Sequence, residues 1–314
     1  MKKIVVLDTW VNDTNLGNKI IMDAVVTELH DMFPDDFLYH VPALEYITKG
    51  RYLLKQAEYS FFAGTNILTA NMNKENESCM RLRDTGYVKD IILFGVGWWQ
   101  YQDSINYYSR LLYSKTLNKK FIHSVRDSYT VDKLQQLGIK AINTGCPSLW
   151  CLTEEKCKRI PHTKGKSVLL TFTEYNQKPE YDIALYKALK EKYDTIYFWA
   201  QQFGDYEYAK QICGDNLIFI NSSTQELDKF LSKHSELDYC GTRLHCGIRC
   251  MQYNHRSIII AVDNRATEMG TDFNLPVVQR TDIVTKLGDL IDAEWVTDIK
   301  VDHDAISIWK SQFK

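Results

Sequence analysis

Leu237-Asp238-Tyr239-Cys240-Gly241-Thr242-Arg243-Leu244-His245-Cys246-Gly247 changes character once, at Gly241. Up to Cys240 the run is short, apolar and strand-forming, and from Leu244 to Tyr253 a helix is expected. The segment therefore predicts a strand that breaks at Gly241 and a helix that opens near Leu244, with Arg243 and His245 on one helix N-terminus. A strand turning straight into a helix is the repeating half of a parallel α/β sheet.

The same alternation extends outward from that segment along nearly the whole chain. Strands are expected at Lys3–Leu7, Phe37–Val41, Tyr59–Ala63, Ile91–Gly95, Lys120–Ser124 and Lys140–Asn143, and helices at Asn18–His30, Ser104–Leu117 and Ser128–Leu137, the last with Ser128 as N-cap. After Lys156–Phe172, an acid-free stretch with Pro161 and Gly165 that reads as a linker running into a strand, the pattern restarts. Its strands are Ser167–Phe172, Thr195–Trp199, Leu217–Ile220, Leu237–Cys240 and Ser257–Ala261. Helices fall near Pro179–Lys192, Thr224–His234, Leu244–Tyr253 and Asp282–Ile291. The expectation is α/β, with two Rossmann-like doubly wound domains, 1–155 and 156–300, and a C-terminal helix in 301–314. This is a glycosyltransferase-B-like architecture, whose site should lie in the interdomain cleft, since open parallel sheets bind ligands beyond the carboxyl ends of their strands.

Composition limits the function classes. A chain of 314 residues with 45% hydrophobic and 25% charged residues can bury a core, and few Gly (15) and Pro (6) exclude collagen-like or disordered readings. A net charge of -2 argues against a nucleic-acid partner, so an anionic ligand must be met by a local cluster. The apolar run before Asp8 is too short for a signal-peptide core, and no apolar window is long enough to span a membrane, which predicts a cytoplasmic protein. Eight cysteines without a C-x-x-C pair read as reduced thiols. The spacing of Cys240, His245, Cys246 and Cys250 does not match a usual zinc site, so no metal is expected.

Several strand ends carry residues suited to chemistry. Asn15 and Asn18 follow the first strand at a helix N-terminus, where they can cap the helix or hold a sugar hydroxyl. Gly64 and the Gly95-Val96-Gly97 turn permit close backbone approach, and Trp98 and Trp99 offer either sugar-stacking faces or core packing. Arg126 follows a strand at the carboxyl edge, where its fork can meet a phosphate or carboxylate, or pair with Asp127. Around Arg243 and His245, helix amides, a guanidinium and a titratable ring near neutral pH suit an anion that must be bound and protonated.

Taken in order, Asn15–Asn18, the strand ending at Gly64, Gly95-Val96-Gly97, Val125-Arg126-Asp127-Ser128 and Thr242-Arg243-Leu244-His245 resemble the polysaccharide pyruvyl transferase family. The family's Gly-rich strand end reads Ala63-Gly64-Thr65, its acidic loop residue is Asn18, and its second-domain Lys is Arg265. The resemblance implies a metal-independent enzyme without cofactor that moves pyruvate from phosphoenolpyruvate, its donor substrate, onto two hydroxyls of a glycan sugar. It implies His245 and Arg243 as catalytic residues, and Arg126, Arg243, Arg265, Gly241 and Thr242 on the donor. Asn15, Asn18, Gly64, Trp98 and Trp99 would meet the acceptor, a glycan or lipid-linked saccharide. A nucleotide-sugar glycosyltransferase and a catalytically silent carbohydrate-binding protein are the rival readings. Two acid-free basic stretches, Ser104–Arg126 and Lys156–Phe172, add an expectation of peripheral association with the inner face of the cytoplasmic membrane.

Overall fold

The computed structural model describes residues 1–313, which divide into two units. Unit 1 comprises Met1–Asp13, Ile21–Trp150 and the stretch from Val301; unit 2 comprises Thr14–Ile20 and Cys151–Lys300.

In unit 1 the strands are parallel. They are β1 (Lys3–Asp8), β2 (Phe37–Pro42), β3 (Tyr59–Ala63), β4 (Asn66–Leu68), β5 (Ile91–Phe94), β6 (Gly97–Trp98), β7 (His123–Val125) and β8 (Ala141–Asn143). Of these, β1, β3 and β5 are apolar runs buried on both faces, whereas β2 and β8 are only partly buried. The principal sheet runs β2-β1-β3-β5; β4 pairs with β6, and β7 with β8. The amides of Gly95 and Leu93 tie β5 to β7, through Ser124 O at 3.0 Å and His123 Nδ1 at 3.0 Å. Helices α1 (Leu16–Met32, whose first turn counts with unit 2), α2 (Arg51–Gln56), α3 (Tyr107–Thr116) and α4 (Ser128–Gln135) connect them.

Two local expectations are corrected here. The cap of α4 is Asp127, not Ser128: its carboxylate accepts from Thr130 N at 2.7 Å and Thr130 Oγ1 at 2.5 Å, and a carboxylate also suits the helix dipole. The strand expected from Lys120 starts at His123, because Asn118 Oδ1 turns Lys120 and Phe121 out of the ladder by accepting both amides.

Unit 2 holds α5 (Glu154–Cys157), β9 (Ser167–Thr171), α6 (Pro179–Lys192), β10 (Thr195–Trp199), α7 (Phe203–Cys213), β11 (Ile218–Ile220) and α8 (Thr224–Leu231). It continues through β12 (Leu237–Gly241), α9 (Leu244–Gln252), β13 (Ser257–Ala261), α10 (Asn264–Phe273), β14 (Val277–Gln279) and α11 (Gly288–Asp292). One six-stranded parallel sheet has the order β11-β10-β9-β12-β13-β14. Chain order therefore runs outward in one direction from β9 to β11 and in the other from β12 to β14. The reversal lies between β9 and β12, the switch point where loops part and leave room for a ligand. The expected break at Gly241 is one residue early, since Gly241 still pairs with Thr171 and Ile259.

The last helix, α12 (His303–Ser311), belongs to unit 1. Trp309 is fully buried there against Phe94, ring centroids 4.5 Å apart, and against Phe61 and Trp150 at 6.1 and 6.2 Å.

Candidate functional site

At the switch point of unit 2, β12 approaches β9 as closely as backbone allows. A Cβ on Gly241 would stand 2.5 Å from Thr171 Oγ1 and 2.7 Å from Thr171 N, so only glycine fits. Gly247, one turn into α9, would put a Cβ 2.8 Å from both Tyr239 and Ile259, which seats the helix directly on the sheet. Between these glycines, Thr242 N donates to Thr171 O at 3.0 Å and Thr242 Oγ1 meets Thr173 Oγ1 at 2.8 Å. These contacts fix where Arg243 and His245 stand.

Arg243, 2% exposed, serves as N-cap of α9 without a side-chain bond to the helix amides. Its Nε donates to Asp205 Oδ2 at 2.9 Å and to Phe172 O at 3.0 Å, while Nη2 donates to Asp205 Oδ1 and to Gln202 Oε1 at 2.9 Å. Nη1 is buried and has no hydrogen-bond partner. A guanidinium leaves such a donor unmade at a cost of about 1–3 kcal/mol or more, unless a ligand oxygen completes it. His245 lies on the first turn of the same helix at 6% exposure.

Asp205 organises this edge. Fully buried, it accepts from Gln201 N and Gln202 N at 3.1 Å each and from Glu174 N at 3.1 Å, besides the pair with Arg243. It thereby ties the loop after β10 and the loop after β9 to the helix after β12.

The loop after β9 carries Tyr175 between two arginines. Its ring lies under the Arg243 guanidinium at 4.9 Å, and its hydroxyl accepts from Arg265 Nη2 at 2.5 Å. Arg265, in the first turn of α10, donates from Nε to Asp263 Oδ2 at 2.8 Å, and Asp263 caps that helix by accepting from Arg265 N at 3.0 Å. Arg265 Nη1 makes no hydrogen bond among the described residues.

The Asn15–Asn18 loop joins unit 2 at the carboxyl end of β10. Asn15 Oδ1 caps α1 by accepting from Gly17 N at 3.0 Å and also accepts from Gln201 Nε2 at 2.7 Å, and Leu16 N donates to Gln201 O at 3.1 Å. A Cβ on Gly17 would lie 2.5 Å from Gln201 Nε2, so a larger residue there must displace the Gln201 amide. Gln201 is buried and its Oε1 has no hydrogen-bond partner. Asn18 is buried at 7% exposure.

The remaining expected residues belong to unit 1. Arg126 belongs to unit 1 and Arg243 and Arg265 to unit 2. Arg126 is fully buried, donates to Asn66 Oδ1 and sits 3.8 Å from Asp127. A Cβ on Gly97 would be 2.5 Å from its Nε, so this glycine lets the backbone pack directly on the fork. Trp98 is turned away from solvent. It has zero exposure, packs against Tyr113 and bonds Gln102 Oε1 through Nε1 at 2.8 Å, because the strand period turns it inward. Trp99, next along, is 39% exposed. Gly64 takes a left-handed φ of 64°, with Ile21 2.3 Å from where a Cβ would stand.

Asp205, Gln201, Tyr175 and Asp263 were not singled out in the sequence. The only local signal was Gln202-x-x-Asp205, a reciprocal capping box in unusual residues. Cys240, Cys246 and Cys250 are buried free thiols, and among the described residues no three His, Cys, Asp or Glu side chains converge as a metal site.

A family model described as polysaccharide pyruvyl transferase matches residues 15–264, from the Asn15 loop to one residue short of Arg265. No curated protein matches the sequence. Among solved structures, Arabidopsis thaliana UGT89C1 complexed with UDP-L-rhamnose is 9% identical with a TM-score of 0.45, covering 92% of this chain and 89% of its own. Medicago truncatula UGT71G1 complexed with UDP-glucose is 10% identical with a TM-score of 0.42, covering 99% and 94%. LpCGTa in complex with UDP is 9% identical, also with a TM-score of 0.42, covering 100% and 94%.

Proposed function

Because this chain belongs to the polysaccharide pyruvyl transferase family, we propose that it transfers the pyruvyl group of phosphoenolpyruvate onto two hydroxyls of one glycan sugar, closing a ketal. The observation that carries the donor assignment is the buried, unpartnered Nη1 of Arg243, two residues before His245, at the switch point of the unit 2 sheet. An oxyanion completes that guanidinium, and a histidine on the same turn can supply a proton.

The chemistry divides among these residues as follows. Arg243 and Arg265, each already paired with its own aspartate, offer Nη1 as a directed donor to the phosphate and carboxylate oxygens, so orientation outweighs net charge. His245, as imidazolium, gives its proton to the methylene carbon, and the first sugar hydroxyl attacks the carbon that becomes electrophilic. That hydroxyl's proton returns to His245. Phosphate then leaves with the bridging oxygen, the second hydroxyl attacks, and its proton departs with the phosphate. Arginine contacts that strengthen as charge moves onto phosphate lower the barrier. Gln201 Oε1 and Asn15 fit the acceptor's hydroxyl groups.

Phosphate release from phosphoenolpyruvate with a panel of galactosides, glucosides and mannosaminides tests the reading. Arg243→Ala should chiefly weaken donor affinity, and His245→Asn should lower kcat about 10²–10⁴-fold with affinity kept. Saccharide binding with no phosphate released from any acceptor overturns it.

The acceptor side extends to a proposal about location. Arg110, Lys115, Lys119 and Lys120 are exposed on and just after α3, and suit weak attachment to an anionic membrane surface that presents lipid-linked acceptors. Arg126 is buried and adds nothing to that patch. The second basic stretch is largely neutralised, with Lys158 paired to Glu154, Arg159 to Glu155 and Lys166 to Glu236. Among the described residues, no helix is long and apolar enough to cross a membrane.

A further inference from the structure

Tyr175 is half-exposed, yet it touches both arginines of the unit 2 edge. Its contacts differ in kind. The ring face holds the Arg243 guanidinium by a cation–π contact, and the hydroxyl accepts a charge-assisted hydrogen bond from Arg265. The turn that bears it, Glu174–Asn176, buries none of its own side chains. Other groups secure that turn: Glu174 N on Asp205 Oδ1 at 3.1 Å, Asn176 Nδ2 on Val262 O at 2.6 Å, and Arg280 Nη1 on Asn176 O at 2.7 Å. Arg280 is itself held by both oxygens of Asp182 at 2.8 Å. The loop therefore does not need the tyrosine in order to stand, and something else must account for its two contacts.

Each arginine has its Nε and Nη2 engaged and its Nη1 left over. Asp205 fixes Arg243 from the core side, whereas Arg265 is paired with Asp263, the N-cap of its own helix, and is 22% exposed against 2% for Arg243. We infer that Tyr175 is a donor-positioning residue, which sets the spacing of the two free Nη1 groups so that one substrate bearing two oxyanions meets both at once. Preorganised donors avoid the cost of ordering a flexible arginine when the ligand binds. The inference rests on the phosphoenolpyruvate reading and deepens it: of the two contacts, the hydroxyl acts through Arg265 alone.

That last point gives a test which a merely structural role would not pass. Titration calorimetry with phosphoenolpyruvate is run on the full chain and on Tyr175→Phe, Arg265→Met and the double variant, with thermal unfolding as the fold control. Tyr175→Phe should raise Kd about tenfold, the scale of one charge-assisted bond. In the Arg265→Met background the same change should do nothing further. Tyr175→Leu, which removes the ring as well, should lose more than Tyr175→Phe. In turnover, Tyr175→Phe should raise KM for the donor while kcat holds. The inference is overturned if Tyr175→Phe binds like the parent, or if it costs the same in both backgrounds. A parent chain that takes up no phosphoenolpyruvate overturns the donor reading itself, and this inference with it, and is distinguishable because no variant is needed to see it.

Discussion

Replacing Asp205 with asparagine keeps the shape of the side chain, removes its charge and turns one acceptor oxygen into a donor. The carboxylate receives Gln201 N, Gln202 N and Arg243 Nε on Oδ2, and Glu174 N and Arg243 Nη2 on Oδ1. An asparagine has one accepting oxygen, so whichever way its amide turns, at least two of these donors face an N–H group instead. Arg243 stays charged at 2% exposure with its counter-ion gone. Removing one partner of a buried ion pair costs about 3–5 kcal/mol. In a unit of this size each kcal/mol moves the midpoint by about 2–4 °C, so the melting of unit 2 should fall by roughly 10 °C. Circular dichroism on heating, followed in the near ultraviolet where the Trp199 environment reports, measures it. A midpoint within about 2 °C of the parent would refute the claim that Asp205 fixes the loops of this edge.

Three further outcomes are expected. Gly241→Ala must part β9 from β12 to clear Thr171, and should cost about 1–3 kcal/mol in urea unfolding, with loss of donor binding. His123 is pushed down from 6.5 to about 4 by burial, accepts from Leu93 N on Nδ1 and bonds Asn118 O through Nε2. Between those two values the unfolded chain takes up a proton that the native chain refuses, so stability should fall by about 3 kcal/mol as pH drops from 6.5 to 4 and this contribution should then level off; urea midpoints of the parent and His123→Gln across that range check it. In liposome co-sedimentation at low salt, anionic vesicles should retain more chain than neutral ones, and charge reversal at Lys115, Lys119 and Lys120 together should abolish the difference, each cation being worth about 1 kcal/mol; equal recovery from the start rejects membrane attachment.

The alternation of buried apolar runs with helices was legible because a parallel strand covered on both faces needs an apolar run, as at Val168–Leu170 and Ile258–Ile260. Gly241 and the Arg243–His245 turn were legible for a local reason too, since a glycine ends the run and a helix opens beyond it. Helices α7 and α10 went unread. Asn264–Phe273 is capped by an ordinary Asp263 that the reading passed over and ends on a left-handed Asn274, whereas Phe203–Cys213 is capped by Gln202, outside the usual cap set, and starts with an exposed Phe and a Gly. With α7 missing, Asp205 could not be placed, and its partner lies 38 residues on, a pairing no local pattern encodes. Trp98 and Trp99 were read together, yet a strand turns neighbours to opposite faces, and only Trp99 reaches solvent.

In the proposed reaction a pyruvyl group passes from phosphoenolpyruvate to a glycan under the control of Arg243 and His245. Its most direct measurement counts both products in one reaction: inorganic phosphate released, and acid-labile pyruvate carried by the acceptor. Equal amounts of the two are expected with the parent chain; both should form about 10²–10⁴-fold more slowly with His245→Asn, and recover at high donor concentration with Arg243→Ala. Phosphate released without glycan-bound pyruvate, or both products formed at the parent rate by His245→Asn, would contradict it.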